Sequence, residues 1–208
     1  MAPHFQIGTA QAASSSFSNA VADRLVHAGD HAAGQFAKVP ASVRQRAHQQ
    51  LRAARQAPTS GKRVFWLQRA AETLAEGYGP GSACGAGCDA CCHIPVSISQ
   101  VEAGVIGRVI GRAVTPPGAH AQQPPLGTAC TFLVGGRCAI YVHRPAVCRT
   151  HLNLDRDNLL CQLVEDGSIP VPYLDATDVV FASVEIARSV PWADVRQWFP
   201  PAGALDCP

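Results

Sequence analysis

The chain has 208 residues, of which 47% are hydrophobic and 15% are charged, and its formal net charge at pH 7 is +2. This length fits one domain with appendages or two small domains, and the hydrophobic content excludes a chain too polar to fold. The small net charge gives no ground for a nucleic-acid or membrane partner. No stretch approaches the ~20 apolar residues needed to span a bilayer, so we expect no membrane association.

The N-terminus lacks the basic and apolar regions of a secretory signal, so we expect a cytoplasmic protein. The chain has nine cysteines, an odd number. In a reducing compartment, clustered cysteines serve as metal ligands or redox groups more often than as disulfides. Disulfide bonds are the minor alternative, which would apply to an exported protein.

Three amphipathic helices are predicted between residues 19 and 78. Apolar residues recur every three or four positions from Asn19 to Pro40, then around Leu51, and again from Val64 to Tyr78 after the breaker APTSG. The second and third helices carry a basic stretch without Asp or Glu, made of Arg44, Arg46, Arg52, Arg55, Lys62, Arg63 and Arg69. We interpret it as a solvated helix face, so nucleic acid is not an expected partner.

A fourth helix is predicted over residues 100–112, because Ser99 and Glu102 have the spacing of a capping box. Its expected core face is Val101, Val105, Ile106, Val109 and Ile110.

Glycine and proline residues indicate where the next two elements lie. Gly135 and Gly136 separate two short apolar stretches and predict a β-hairpin. Pro145 is expected to begin a short helix through Cys148 to about His151. Residues 175–189 are typical of a further helix, and 191–199 of one more turn.

The predicted fold is therefore mainly α with a small β-hairpin, a helical N-terminal segment being followed by a small cysteine-rich metal-binding domain. We expect a flexible N-terminus at 1–18, the helical segment at 19–80, the cysteine-cluster domain at 81–165, and a helical tail at 166–208 that packs on it.

The strongest signal for chemistry is a cysteine cluster in two halves. Four thiols lie within nine residues, at Cys84, Cys88, Cys91 and Cys92, and the second half supplies Cys130, Cys138, Cys148 and Cys161. The C-x2-C step lets two sulfurs reach one ion at the ~2.3 Å typical of zinc thiolates. Eight thiols exceed the four that one zinc ion or one cubane cluster takes, so either two sites exist or some cysteines have another role.

Other residues near the cluster are candidates for supporting roles. His93, His143 and His151 are reserve ligands or bases. Arg144 and Arg149 flank Cys148 and could offset the excess negative charge of a thiolate site. Cys207 stands apart and needs no function beyond burial.

The pattern Cys84-x3-Cys88-x2-Cys91-Cys92, followed by the block Ile140-Tyr141-x2-Arg144-Pro145-x2-Cys148-Arg149 and by Cys161, resembles the YkgJ-type cysteine-cluster family of zinc- or iron-chelating domains. The resemblance covers residues 83–161 and implies eight metal-associated cysteines. Larger relatives, the flagellin lysine N-methylases, combine an iron–sulfur cluster with methyl transfer. That activity is not carried over, because this short chain lacks a glycine-rich strand-to-helix loop for a nucleotide-like cofactor.

The sequence thus predicts a metal-binding protein that chelates zinc or iron, the iron either as ions or as a 4Fe–4S cluster. An iron–sulfur redox enzyme or a methylase-like protein-modifying enzyme is the first alternative. An adaptor that engages a protein partner through the basic helical surface is the second.

Overall fold

The computed structural model describes residues 18–118, 121–162 and 169–201. Apart from Ser18, the predicted flexible N-terminus lies outside these residues, as does Cys207. The prediction of a mainly helical fold with a small β-hairpin is confirmed. Within the described ranges the α-helices are α1 (Asn19–Lys38), α2 (Ala41–Gln56), α3 (Ser60–Tyr78), α4 (Gln100–Ile110), α5 (Ala146–Thr150), α6 (Thr177–Ile186) and α7 (Val195–Trp198).

The first three helices begin and end where the sequence predicts. The Ser18 side chain accepts a hydrogen bond from the Val21 N–H at the start of α1, and Thr59 accepts one from the Lys62 N–H at the start of α3. Pro40 lies between α1 and α2, where its missing N–H costs no helical hydrogen bond. Each helix start therefore has a local physical cause in the sequence.

A first core forms where α2 and α3 pack against α5, α6 and the loop after α5. Its buried members include Leu51, Leu67, Leu74 and Tyr78 from the helices, and Leu152, Leu154, Leu174 and Val179 from the second half of the chain. This core joins residues on both sides of the predicted domain boundary at Pro80. The domain bounds themselves stay a prediction.

Helix α4 is confirmed, and its predicted core face is confirmed in part, since Ile106 is buried and Ile110 packs against buried residues. Val109 is 55% exposed, whereas Glu102, Ala103, Ile106 and Gly107 are buried. Ser99 caps the helix by accepting from the Glu102 N–H. The Glu102 carboxylate does not complete the predicted capping box, because it turns inward and accepts hydrogen bonds from the Ala146 N–H and the Gln68 amide.

A second core forms around α4 and the C-terminal tail. Strand β1 (Ser97–Ser99) pairs antiparallel with β4 (Trp192–Asp194), and Ile98 lies opposite Ala193. The core contains Ile98, Ala103, Ile106, Phe132, Ile140, Ala193, Val195, Trp198 and Phe199. The Trp198 indole N–H donates to the Ile98 carbonyl at 3.1 Å. The sequence predicts a helical turn here but not the strand that precedes it.

The predicted β-hairpin is confirmed as β2 (Leu133–Val134) and β3 (Arg137–Cys138). Gly135 and Gly136 both have positive φ, at 55° and 71°. Two consecutive left-handed residues suit the two-residue turn whose twist matches that of the strands, which explains the glycine pair.

The N-terminal helix α1 is joined to the second half of the chain by charge and by a small apolar cluster. Arg24 makes hydrogen-bonded ion pairs at 2.8 Å with Asp155 and with Asp157. Val21 and Ala28 pack with Leu160 and Ile169. No helix in the described ranges is both long enough and apolar enough to cross a membrane.

The basic stretch on α2 and α3 is partly engaged within the chain. Arg44 donates to the Tyr78 hydroxyl, Arg55 pairs with Glu185, and Arg63 donates to the Ala57 carbonyl. These three side chains therefore already have partners inside the protein.

Candidate metal centre

The first half of the cysteine cluster folds as a loop of turns. The Cys88 N–H donates to the Gly85 carbonyl at 3.1 Å, and Gly87 has a φ of 88°, which favours glycine. Cys91 and Cys92 then lie in a 3₁₀ turn, Ala90–His93, in which the Cys92 N–H donates to the Asp89 carbonyl. Four thiols are thus presented from a compact segment held by its own backbone.

The second half is spread over a loop and three elements. Cys130 precedes β2, Cys138 ends β3, Cys148 lies in the middle of α5, and Cys161 ends the 3₁₀ turn Leu159–Cys161. The Cys130 N–H donates to the Cys92 carbonyl at 2.7 Å. This backbone hydrogen bond joins the two halves directly.

Asn153 makes a second connection between the halves, and the sequence analysis did not identify it. Its backbone N–H donates to Cys84 Sγ at 3.4 Å, and its side-chain amide donates to Cys161 Sγ at 3.3 Å. The Ala83 N–H donates to the Asn153 carbonyl at 2.8 Å. Nothing in the local sequence pattern distinguishes this asparagine, because its role depends on contacts across the fold.

All eight cysteines are half-buried free thiols. Burial raises the pKa of Cys84, Cys130 and Cys148, and it raises the pKa of Cys161 to about 11. Without a cation, these four thiols therefore prefer to keep their protons, because a thiolate loses hydration on burial. A metal ion reverses that preference, since it binds the thiolate.

The thiols also affect one another electrostatically. After burial, negative charge at Cys88, Cys84 and Cys91 further raises the pKa of Cys161. The neighbouring Cys92 thiol is the largest cause of the raised pKa of Cys91, followed by burial. Mutual effects of this kind require the side chains to lie in one region.

Two aromatic side chains border this region. The rings of His151 and Tyr173 lie with centroids 3.9 Å apart. Burial lowers the pKa of His151, and burial followed by the charges of four cysteines raises the pKa of Tyr173. His151 Nε2 is buried and meets no hydrogen-bonding partner among the described residues.

The two arginines expected to support the cluster have different environments. Arg144 lies over the Tyr141 ring at 4.0 Å, and its charge acts on Cys91 in the direction that lowers the pKa, against the stronger effects of Cys92 and burial. Arg149 instead pairs with Glu72 and donates to the carbonyls of Arg144 and Val142. The guanidinium of Arg149 is therefore occupied by structural contacts.

The remaining reserve histidines lie at the edge of the cluster. His93 Nδ1 is 3.3 Å from the Gly127 carbonyl, and Nε2 is 3.8 Å from the Asp89 carboxylate. His143 is exposed. In the ranges that the structure describes, no three Cys, His, Asp or Glu side chains are arranged so that they could hold one metal ion.

The donor set itself suits zinc or iron. Thiolates are the ligands of structural zinc sites and of iron–sulfur clusters, both of which take sulfur in groups of four. Asn153 supplies N–H groups directed at two sulfurs, as expected for the surroundings of a thiolate site.

Comparison with known proteins gives one finding. Residues 83–164 match the family model CxxCxxCC, described as a "Putative zinc- or iron-chelating domain". No curated protein and no solved structure matches the chain. The match contains all eight cysteines of the cluster, and it confirms the resemblance found in the sequence. Residues 83–164 are therefore similar to the zinc- or iron-chelating domains that this family model describes.

Proposed function

We propose that this protein chelates zinc or iron through eight cysteine thiolates, the iron either as ions or as a 4Fe–4S cluster. The proposed ligands are Cys84, Cys88, Cys91, Cys92, Cys130, Cys138, Cys148 and Cys161. Hydrogen bonds between the two halves of the cluster carry the proposal. The Cys130 N–H donates to the Cys92 carbonyl, and Asn153 donates to the Sγ atoms of Cys84 and Cys161. These contacts join the two halves of the cluster, and the proposal requires the thiols to turn onto the metal when it binds, because the described side chains do not yet surround one ion.

The metal is proposed to stabilise the region in which it binds. Between Gly79 and Thr150 the regular elements near the thiols are short, and β2 and β3 have two residues each. Such elements supply little packing of their own, so metal binding would contribute directly to the free energy of folding. In this proposal residues 81–165 are the metal-binding domain, and 19–80 and 166–208 support it.

The proposal places the protein in the cytoplasm. Eight free thiols in one region persist only where disulfide formation is disfavoured, and a reducing compartment provides that condition.

Anaerobic purification of the full chain, followed by elemental analysis and an absorption spectrum, tests the proposal. We expect stoichiometric zinc or iron, and we expect a chelator to lower the melting temperature. A colourless zinc protein would contradict an iron–sulfur redox role, whereas a brown protein with charge-transfer absorption would support iron. A preparation without metal whose stability is indifferent to chelators would overturn the proposal.

A further inference from the structure

We propose that Glu72 of α3 and Glu102 of α4 hold the short helix α5 in place before any metal arrives, and thereby keep Cys148 as the stationary donor of the site. Both carboxylates are positioning residues, since they act through the backbone and through Arg149 and not on the metal. This role rests on the metal-binding function proposed above, and it makes α3 and α4 part of that site.

Helix α5 is too short to be stable by itself. It has five residues, Ala146–Thr150, whereas isolated helices shorter than about 12–15 residues are marginal even with favourable sequences. Its N-cap residue, Pro145, has no side-chain acceptor for the N–H groups of the first turn. The helix therefore needs partners from elsewhere in the fold.

The Glu102 carboxylate supplies the acceptor at the start of α5. Its Oε1 atom accepts from the N–H of Ala146, the first residue of the helix, at 2.8 Å. Gln68 of α3 donates to the same oxygen at 3.3 Å, which keeps the carboxylate turned toward α5. Glu102 is 4% exposed, so water cannot take its place as the acceptor, and a buried N–H without an acceptor is costly.

Arg149 holds the other end of the helix. Its guanidinium pairs with Glu72 and donates to the carbonyls of Arg144 and Val142 at 3.0 Å and 2.8 Å. Arg149 is buried, so these contacts are shielded from water. Cys148 immediately precedes this arginine, and its backbone therefore lies between two anchored points of the helix.

The other residues of α5 are also engaged. Ala146 belongs to the first core, and Val147 packs against the second. Thr150 is buried, and its hydroxyl donates to the Ala146 carbonyl at 3.4 Å. Every neighbour of Cys148 within the helix thus has a partner in the fold, and Cys148 cannot shift far without breaking several of these contacts.

The remaining cysteines of the cluster lie in weaker kinds of structure. Of the eight, all of which are in the described ranges, only Cys148 is in an α-helix. Cys91 and Cys92 lie in a four-residue 3₁₀ turn, Cys161 ends a three-residue one, and Cys138 ends a two-residue strand. Such short elements move at a lower cost than a helix anchored at both ends. Thiols that turn onto an arriving ion would therefore gather around Cys148.

Two of the supporting side chains precede the part of the chain that resembles the chelating domains. Gln68 and Glu72 lie in α3, whereas the match to the family model begins at residue 83. The helical N-terminal segment would then contribute to metal binding without supplying a ligand.

Thiol alkylation of the reduced, metal-free full chain tests the anchoring of α5. Glu102→Leu removes the acceptor, and we expect Cys148 to be alkylated at least about tenfold faster than in the parent, because the helix opens more often. Glu102→Gln keeps a side-chain oxygen for the Ala146 N–H and should restore a rate near that of the parent. Mass spectrometry measures the rates, with Cys207 of the same molecule as the internal reference.

Competition with a chromophoric zinc chelator tests the link to the metal site. Glu102→Leu and Glu72→Ala should each weaken zinc binding by roughly 10–100-fold, the range typical of residues that support metal ligands. Glu76→Ala is the matched control for Glu72→Ala, since Glu76 lies on the same helix but is exposed, and its affinity should stay within about twofold of the parent.

The outcomes separate this role from the proposed function. A parent chain that binds no zinc would overturn the metal-binding function. A parent that binds zinc, with Glu72→Ala and Glu102→Leu variants that keep their helical circular dichroism and bind as tightly as Glu76→Ala, would overturn the role of α5 alone. Unchanged alkylation of Cys148 in the metal-free variants would overturn it as well. If Glu102→Leu does not fold, Glu72→Ala decides, because the Glu72 side chain is 30% exposed and tolerates replacement.

Discussion

Asn153 is wholly buried and uses all of its hydrogen-bonding groups. Besides its bonds to Cys84 and Cys161, its side-chain oxygen accepts from the Asp155 N–H, and its amide donates to the Asp157 carbonyl. Rotating the side chain would therefore break several contacts at once. Asn153 is a positioning residue, which orients two sulfurs and supplies N–H groups to them.

Replacement of Asn153 by aspartate should weaken metal binding by roughly 10–100-fold, the range typical of residues that support metal ligands. The carboxylate cannot donate to Cys161 Sγ and adds a negative charge beside a thiolate. Competition with a chromophoric zinc chelator measures the change. Asn158→Asp makes the same substitution at an exposed position and should leave the affinity within about twofold. Equal losses in the two variants would contradict the role of Asn153.

Metal uptake should release about four protons per ion at pH 7, because thiols must lose their protons to bind a metal. Burial raises the pKa of Cys84, Cys130 and Cys148, and that of Cys161 to about 11, so these groups begin protonated. Apparent affinity should therefore rise with pH from neutrality toward these pKa values. Calorimetry in buffers of different ionisation enthalpy counts the protons. Release near zero would show that the thiolates exist before the metal arrives.

At the scale of elements, α1 is attached to the turn before Cys161 by the ion pairs of Arg24 with Asp155 and Asp157. Hydrogen bonding to Arg24 lowers the pKa of Asp157 from 3.8 to about 2. A carboxyl group with a lowered pKa in the folded state stabilises the fold above its ordinary pKa, and that stability is lost as the pH falls toward the lowered value.

We therefore expect the attachment of α1 to weaken between pH 3.8 and about 2. Thermal melting of the parent and of Asp157→Asn, across pH 6 to pH 2, measures the effect. The variant should be slightly less stable at neutral pH, since Asp157 is largely exposed, and its stability should vary less within that window. Parallel curves for the two proteins would contradict the role of this ion pair.

Local signals made several elements predictable. Ser18, Pro40 and Thr59 mark helix starts, and Gly135 with Gly136 marks the hairpin, because each acts through its immediate neighbours. The core face of α4 was predicted only in part, since Ile106 is buried but Val109 is exposed and Glu102 is buried. Its carboxylate is buried because it satisfies the Ala146 N–H, a partner that sequence spacing does not reveal.

The eight cysteines proposed as ligands were chosen from their spacing, whereas the contacts that join the two halves of the cluster could not be predicted. Spacing brings Cys88 and Cys91 together, but the neighbours of Cys130 and Cys161 depend on Asn153 and on the two cores. Strand β4 was missed for a similar reason. Three residues carry little periodic signal, and its partner β1 lies far away in the chain.

At the scale of the whole molecule, the second core depends on the C-terminal tail. Trp198 is fully buried, and its indole N–H has one partner, the Ile98 carbonyl. Replacing Trp198 by alanine should cost about 3–5 kcal/mol, as for other large aromatic side chains removed from a core. Urea unfolding followed by circular dichroism measures this cost.

Trp192→Ala is the matched control, because that indole is 38% exposed. It should cost clearly less than the Trp198 substitution, since less apolar surface leaves the interior. Similar costs at the two positions would mean that the tail does not pack as described.

The pairing of β1 with β4 has a consequence for the order of events during synthesis. The last cysteine of the cluster emerges from the ribosome before β4 and α7, so every thiol is available before the second core has its tail. Cys130 and Cys138 rest on that core, whereas Cys84 rests on the other. The core on which Cys130 and Cys138 rest is therefore completed only after the tail has been synthesised.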